Sequence, residues 1–265
     1  MAVDGAHPLP ARRPRAPHLR VPALTVTAWL RYDVIRRMLA RVEAEAARTF
    51  LEIGTGGGSI GLTLARRFDY VGLELDPVCY GTAAARFERA GLREVVNGDL
   101  SSLPPGARFD VVAAFEVLEH YEDDAATLAA WRDYVADGGW IMLSVPACPN
   151  RFGPADRKMG HYRRYDRAAL RAVITAAGFE APSIVSYGFP LGYVLDSVRQ
   201  ELARREGDRF EGASLEERTA ASGRWLQPGE RLASATMAAA APFRLLQRPF
   251  GSVWGNGYVA LARAR

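Results

Sequence analysis

The chain has 265 residues, 49% of them hydrophobic and 24% charged, with a formal net charge of +4. This is a globular composition, long enough for one α/β domain and an elaboration, and no apolar run approaches the roughly 20 residues of a membrane helix. Lys158 is the only lysine, so the basicity reads as a coding bias towards arginine rather than a nucleic-acid footprint. Cys79 and Cys148 fit no metal or redox spacing, and the arginine-containing start carries no apolar leader pattern, so the expected location is the cytoplasm.

Residues 1–24 carry Pro8, Pro10, Pro14, Pro17 and Pro22 among Arg12, Arg13, Arg15 and Arg20, an extended lead-in with a basic cluster. From Thr27 to Ala47 the apolar residues Leu30, Val34, Ile35, Met38, Leu39 and Val42 recur at helical spacing, which predicts an amphipathic helix. Residues 1–47 are thus a lead-in and a packing helix. Strands are predicted at 49–54, 70–75, 94–97, 109–115 and 139–146, alternating with helices at 58–67, 77–91 and 123–136, with a further helix at 166–178. That alternation predicts a doubly wound, mostly parallel sheet, whose ligands sit at the carboxyl ends of the strands. A sixth strand near 182–188 and a last one at 257–262 enclose a long segment with a helical pattern at Val194, Val198 and Leu202. A charged stretch from Arg204 to Arg231 follows, and then an apolar stretch expected to be helical up to Pro242.

The stretch Phe50-Leu51-Glu52-Ile53-Gly54-Thr55-Gly56-Gly57-Gly58-Ser59-Ile60-Gly61 reads as a buried strand, a tight turn and a helix start. Such turns bring a ligand close to backbone N–H groups. Gly56, Gly58 and Gly61 also satisfy the G-x-G-x-x-G pattern of dinucleotide binding. Glu52 helps to separate the readings, because a carboxylate at the loop mouth repels a pyrophosphate and attracts an ammonium group. The pattern Glu52-x-Gly54-x-Gly56-x-Gly58 resembles the first motif of the class I S-adenosylmethionine-dependent methyltransferases.

The resemblance continues along the chain. Glu74 ends the second strand about twenty residues after the glycine loop begins, the spacing of a ribose-binding carboxylate. Asn97-Gly98-Asp99-Leu100 follows the third strand, and Phe109-Asp110-Val111-Val112 with Glu116-Val117-Leu118-Glu119-His120 is similar to the small-molecule methyltransferases of quinone biosynthesis. The Asn/Asp-Pro-Pro-aromatic sequence of amino-methylating DNA enzymes is absent.

The resemblance implies the class I methyltransferase fold, a Rossmann-like sheet with an antiparallel last strand paired next to the sixth. It implies a cofactor-binding core at 48–189, a substrate-covering insertion at 190–254 and a closing strand at 255–265. It implies S-adenosylmethionine as cofactor, with Glu52, Gly54, Thr55, Gly56 and Gly58 at the methionine part and Glu74 at the ribose. Asp99 and Leu100 would meet the adenine, and Leu75 and Phe115 complete the cofactor set. The acceptor is expected to be a small molecule, anionic or polyhydroxylated, and not a nucleic acid.

Methyl transfer requires alignment, exclusion of water and, for a hydroxyl acceptor, a base. His120 and His161 are the candidates near strand ends; His7 and His18 lie in the lead-in. Glu116, Glu119 and His120 stand at i, i+3 and i+4, on one face if the chain is helical there. With His161 they resemble the divalent-metal site, such as one for Mg²⁺, of ubiquinone-pathway and small-RNA O-methyltransferases; the other reading makes Glu119 and His120 a cap for the turn. The run from Pro149 to Asp166 is dense in Arg, Tyr and His and resembles an Asp…Gly-His-x-Arg-Arg-Tyr segment of related methyltransferases. Tyr162, Arg163 and Arg164 there either hold substrate or pair with nearby carboxylates. C- and N-methylation remain alternatives within the class, and an NAD-dependent oxidoreductase or a non-catalytic cofactor-binding protein outside it.

Overall fold

The computed structural model describes residues 24–206, 230–250 and 253–265. The proline-rich start with its arginines, and most of the charged stretch between Arg204 and Arg231, lie outside them. The strands are β1 (Thr49–Ile53), β2 (Asp69–Glu74), β3 (Val95–Asn97), β4 (Phe109–Phe115), β5 (Val135–Pro146), β6 (Phe179–Tyr187) and β7 (Gly257–Ala264). They form one sheet in the order β3-β2-β1-β4-β5-β7-β6. All pairs are parallel except those of β7, which runs antiparallel between β5 and β6. Ile53 pairs with Leu73 and Ala114, Phe115 with Ser144, and Pro146 and Tyr187 with Gly257. The carboxyl ends of the six strands that run in one direction and the start of β7 therefore meet along one edge.

The helices are α1 (Val26–Ala44), α2 (Ser59–Leu64), α3 (Pro77–Arg89), α4 (Asp124–Arg132), α5 (Pro154–Lys158), α6 (Arg167–Ala176), α7 (Leu191–Glu206) and α8 (Glu230–Leu246). One face of the sheet is covered by Val34, Ile35, Met38, Leu39 and Val42 of α1 with Ile60, Leu64 and Phe87 of α2 and α3. The other packs on Leu128 and Trp131 of α4 and Leu170 and Ile174 of α6. Strands buried on both faces need continuous apolar runs, and Val111-Val112-Ala113-Ala114-Phe115 and Ile141-Met142-Leu143 supply them. The helices capped by Thr25, Asp76, Asp123 and Asp166 each take a hydrogen bond on the cap side chain from the first turn.

The structure departs from the sequence expectation at the α4–β5 junction and at α8. Helix α4 ends at Arg132 and β5 already begins at Val135, because a register shift opposite Phe109–Val111 absorbs Gly138 and Gly139 into the strand. A Cβ on Gly139 would stand 2.9 Å from the carbonyl oxygens of Ala136 and Asp110, so the irregularity requires glycine. Helix α7 forms where expected, but Val194, Val198 and Leu202 lie on its exposed side. Its inner side is ionic: Asp196 and Gln200 face the segment around α5. Helix α8 runs through Pro242 instead of stopping there. Pro242 and Ala238, one turn before it, are both exposed, so the carbonyl freed by the missing N–H can be met by water.

Gln247, at the end of α8, joins the inserted segment to the body. It is 1% exposed, accepts from the Gly188 N–H at 2.9 Å and donates to the Leu30 carbonyl at 3.1 Å. Gln247→Ala strands the buried Gly188 N–H and removes a second bond to the Leu30 carbonyl, and is expected to cost about 2 kcal/mol in chemical denaturation. A loss below about 0.5 kcal/mol would show that this link does not hold α8 to α1.

Candidate active site

Beyond β1 the backbone takes positive φ at Gly54, Gly56 and Gly58. The turn is tied down by its neighbours: the N–H groups of Gly54 and Thr55 both donate to the Leu73 carbonyl at 2.9 Å, and Arg86 of α3 reaches the Gly57 carbonyl and Ser59 Oγ. A Cβ on Gly54 would stand 2.7 Å from Val117 Cγ2, whereas one on Gly56 would meet nothing within 4 Å. Gly54 is thus fixed by packing and Gly56 by its φ of +56°, and the Gly56 backbone presents an open cradle at the strand ends.

Glu52 lies beneath this loop and is 2% exposed. Its Oε2 accepts from Tyr70 Oη at 2.5 Å and Thr55 Oγ1 at 3.2 Å, and the two hydroxyls are 2.7 Å apart. Burial pushes the Glu52 carboxyl up to about 7, against the pull of those hydrogen bonds. Gly61 now has a separate explanation: a Cβ there would overlap Tyr70 Oη and come within 2.9 Å of Glu52 Oε2. The third glycine makes room for the carboxylate network.

Glu74, half-buried, accepts the N–H of Gly56 at 2.6 Å and of Asp76 at 2.9 Å, one on each oxygen. Burial raises its pKa. Asp99 is exposed, and the hydroxyl and N–H of Ser101 bind its Oδ1 and lower its pKa. Leu75 is exposed, Leu100 half-buried and Phe115 buried. All of these stand at the carboxyl ends of β1 to β4 and bring the expected cofactor set to one edge.

After β4 the chain does not become helical at once. Glu116 takes φ of +59°, and only Leu118–His120 form a short 3-10 turn, so Glu116, Glu119 and His120 do not share one helical face. Glu116 instead accepts from Ser144 Oγ at 2.9 Å and Tyr187 Oη at 3.1 Å and lies 3.2 Å from Arg31 Nη1 of α1. Although burial pushes its pKa up, Arg31 and these bonds hold it below the usual carboxylate range. Glu119 is fully buried, and both its oxygens lack a hydrogen-bond partner. Burial and the Glu116 charge push its pKa well up. His120, desolvated and beside His161, falls to about 3 and is a neutral imidazole at ordinary pH.

His161 meets this pair from the segment after β5. Its Nε2 is 3.9 Å from Glu119 Oε1, its Nδ1 is 3.2 Å from Asp156 Oδ1, and its ring lies edge-on to His120 with centroids 4.7 Å apart. Donor atoms of Glu119, His120 and His161 lie within 4.8 Å of one another. Arg164 is buried and committed to Asp156 and Asp196, and Arg163 pairs with Asp124 at 3.0 Å. Tyr162 is exposed.

Sequence reasoning missed Arg31, Tyr70 and Tyr187. No motif marks Arg31. Its register on α1, beside the fully buried Leu30 and close to Val34 and Ile35, is the one signal that would have placed a cation in the interior.

Residues 27–184, more than half of the chain, match a family model described as a methyltransferase domain. Over 187 residues the chain is 31% identical to a Mycolicibacterium smegmatis protein named "Probable S-adenosylmethionine-dependent methyltransferase", covering 67% of this chain and 69% of that one. Over 115 residues it is 32% identical to a ubiquinone biosynthesis O-methyltransferase of Paraburkholderia xenovorans, 40% of this chain and 49% of the relative, so it spans about half the length of that protein. A solved structure from Galdieria sulphuraria, proposed to be a sarcosine dimethylglycine methyltransferase, is similar with a TM-score of 0.55 and 16% identity over 88% of this chain and 85% of that one. At that identity the likeness is one of fold. The chain belongs to the S-adenosylmethionine-dependent methyltransferases. Among the described residues no helix is long and apolar enough to cross a membrane.

A cation held on the glycine loop favours ionised Glu52, whose carboxyl titrates near 7. Affinity for S-adenosylhomocysteine, which carries the ammonium, is therefore expected to rise as pH increases through about 7 and then level off, with protons released on binding near neutrality. Calorimetry in buffers of different ionisation enthalpy measures this, and Glu52→Gln should flatten the profile. An identical slope in both proteins would remove Glu52 from the binding.

Proposed function

We propose that this methyltransferase moves the methyl group of S-adenosylmethionine to an oxygen of a small molecule, with His161 as the base. The observation that carries the reading is the convergence of His161, Glu119 and His120 at the end of β4, next to the cofactor edge. A base works best with a pKa near the operating pH, and His120 at about 3 is too weak a base for the task. The Paraburkholderia relative is named an O-methyltransferase, which supports an oxygen acceptor.

For the cofactor, the residues fit. Gly54, Thr55, Gly56 and Gly58 offer backbone to its methionine part, and buried Glu52 supplies negative charge beneath the ammonium. Each oxygen of Glu74 has accepted one backbone N–H and keeps a lone pair for a ribose hydroxyl. Asp99 and Leu100, with Leu75 and Phe115, receive the adenine. When bound, S-adenosylmethionine supplies the electrophilic methyl; the chain aligns the acceptor, excludes water and takes up its proton. Helices α7 and α8, between β6 and β7, lie on the acceptor side, and Tyr162, exposed beside His161, touches the acceptor.

A second reading is favoured by one observation. Both oxygens of Glu119 are buried without hydrogen-bond partners, beside a neutral His120 and His161. Glu119, His120 and His161 would hold a divalent cation such as Mg²⁺, which would lower the pKa of the acceptor hydroxyl. Glu116, bound to Arg31, would stand outside that set.

Glu74→Ala is expected to weaken S-adenosylhomocysteine binding about 10- to 100-fold by calorimetry, the worth of one or two hydrogen bonds to a charged group. Equal affinity in the variant and the parent would undo the ribose assignment. His161→Ala should keep that affinity and lower turnover about 10²-fold or more, followed as S-adenosylhomocysteine production over a panel of hydroxyl acceptors. Turnover at the parental rate would reject the base, and activity unchanged by a chelator would reject the metal reading.

A further inference from the structure

We propose that Asp156 is a positioning residue that fixes the tautomer of His161, keeping a proton on Nδ1 and the lone pair on Nε2, directed to Glu119. The inference rests on the reading of His161 as the working imidazole, whether base or metal ligand, and adds what makes it so.

The argument is one of donors and acceptors. Asp156 is fully buried, and an ionised carboxylate can only accept. Its Oδ2 receives Arg164 Nη2 at 2.8 Å, Gln200 Nε2 at 2.7 Å and the Gly153 N–H at 2.9 Å. Its Oδ1 receives Arg164 Nε at 2.8 Å and faces His161 Nδ1 at 3.2 Å. Arg164 pairs with both oxygens of Asp156, a two-pronged contact that an ionised, purely accepting carboxylate makes. A neutral His161 beside such an acceptor must carry its proton on Nδ1, which leaves Nε2 bare.

The backbone holds the ring in the same register. The His161 N–H donates to the Asp156 carbonyl and the Tyr162 N–H to the Glu119 carbonyl, both at 2.9 Å. Arg164 in turn bridges Asp156 to Asp196 of α7, and Gln200 adds a second link from α7. The imidazole is thereby braced from the inserted segment as well as from its own loop.

Asp156→Asn tests the idea. An amide at this place has one end that donates. On the Oδ2 side it would confront three fixed donors, while on the Oδ1 side one of its two neighbours, His161, can reverse its role. The amide nitrogen therefore settles towards His161 and drives the ring proton to Nε2.

The readout is the pattern of ¹⁵N shifts and couplings of the ring nitrogens in histidine-labelled protein at neutral pH. The chain has four histidines, and His161→Gln identifies the signal by its loss. The expected parent is Nδ1–H with a bare Nε2, the expected Asp156→Asn variant the reverse. Gln200→Ala, which removes one donor to Asp156 but leaves its charge, should keep the parental pattern, although a purely structural role would move it too.

A proton on Nε2 in the parent, on a neutral or doubly protonated ring, overturns the proposal even if Asp156→Asn does not fold. The Asn variant folding and retaining Nδ1–H overturns it as well. Failure here leaves the loss of turnover in His161→Ala intact, and failure of that variant to lose turnover leaves the tautomer intact, so the two readings fall separately.

Discussion

Glu52, Glu119 and Asp156 are taken out of water along one edge of the sheet and Glu116 is partly so, and each is held differently. Burying a charge costs several kcal/mol unless partners replace the lost water. Glu116 has Arg31, Ser144 and Tyr187, and Asp156 has Arg164, Gln200 and His161; both sit below the usual carboxylate range. Glu52 has two hydroxyls and no direct cation, and Glu119 has no hydrogen-bond partner; both are pushed up. The satisfied pair belongs to the framework. Glu52, hydrogen-bonded but without a direct cation, and Glu119, without hydrogen-bond partners, carry a desolvation cost that a bound cation would offset, one beneath the glycine loop and one between the histidines.

This explains the parts gathered around them. Gly61 is small so that Tyr70 and Thr55 can reach Glu52. Arg31 ties α1 to the end of β4, and Gln247 ties α8 to α1, so α1 and the end of α8 are both fixed relative to the edge. Positive φ at Glu116 turns its carboxylate back towards Arg31 and leaves Glu119 and His120 to face His161.

The central sheet was legible in the sequence because its signals are local: apolar runs of strand length, alternate glycines, and carboxylates at strand ends. The antiparallel β7 came from resemblance, since nothing in Gly257–Ala264 itself marks direction. What was not legible depended on pairing across the fold. The spacing of Val194, Val198 and Leu202 marked a helix but not its inner side, which belongs to Asp196 and Gln200 because Arg164 and Asp156 await them. Glu116 looked like a ligand until Arg31, far away in sequence, was seen beside it. For Arg164 the sequence left substrate and carboxylates open as partners, and two carboxylates hold it.

The central claim is that buried Glu52, Glu74 and the glycine loop form one edge that receives the methyl donor. A crystal structure of the protein with S-adenosylhomocysteine tests it most directly. The account predicts the amino group over the loop at Gly54–Gly56, above Glu52, with both ribose hydroxyls on Glu74 and the sulfur facing His161. A ligand bound in the opposite sense, with adenine over Glu52, or bound away from this edge, would contradict it.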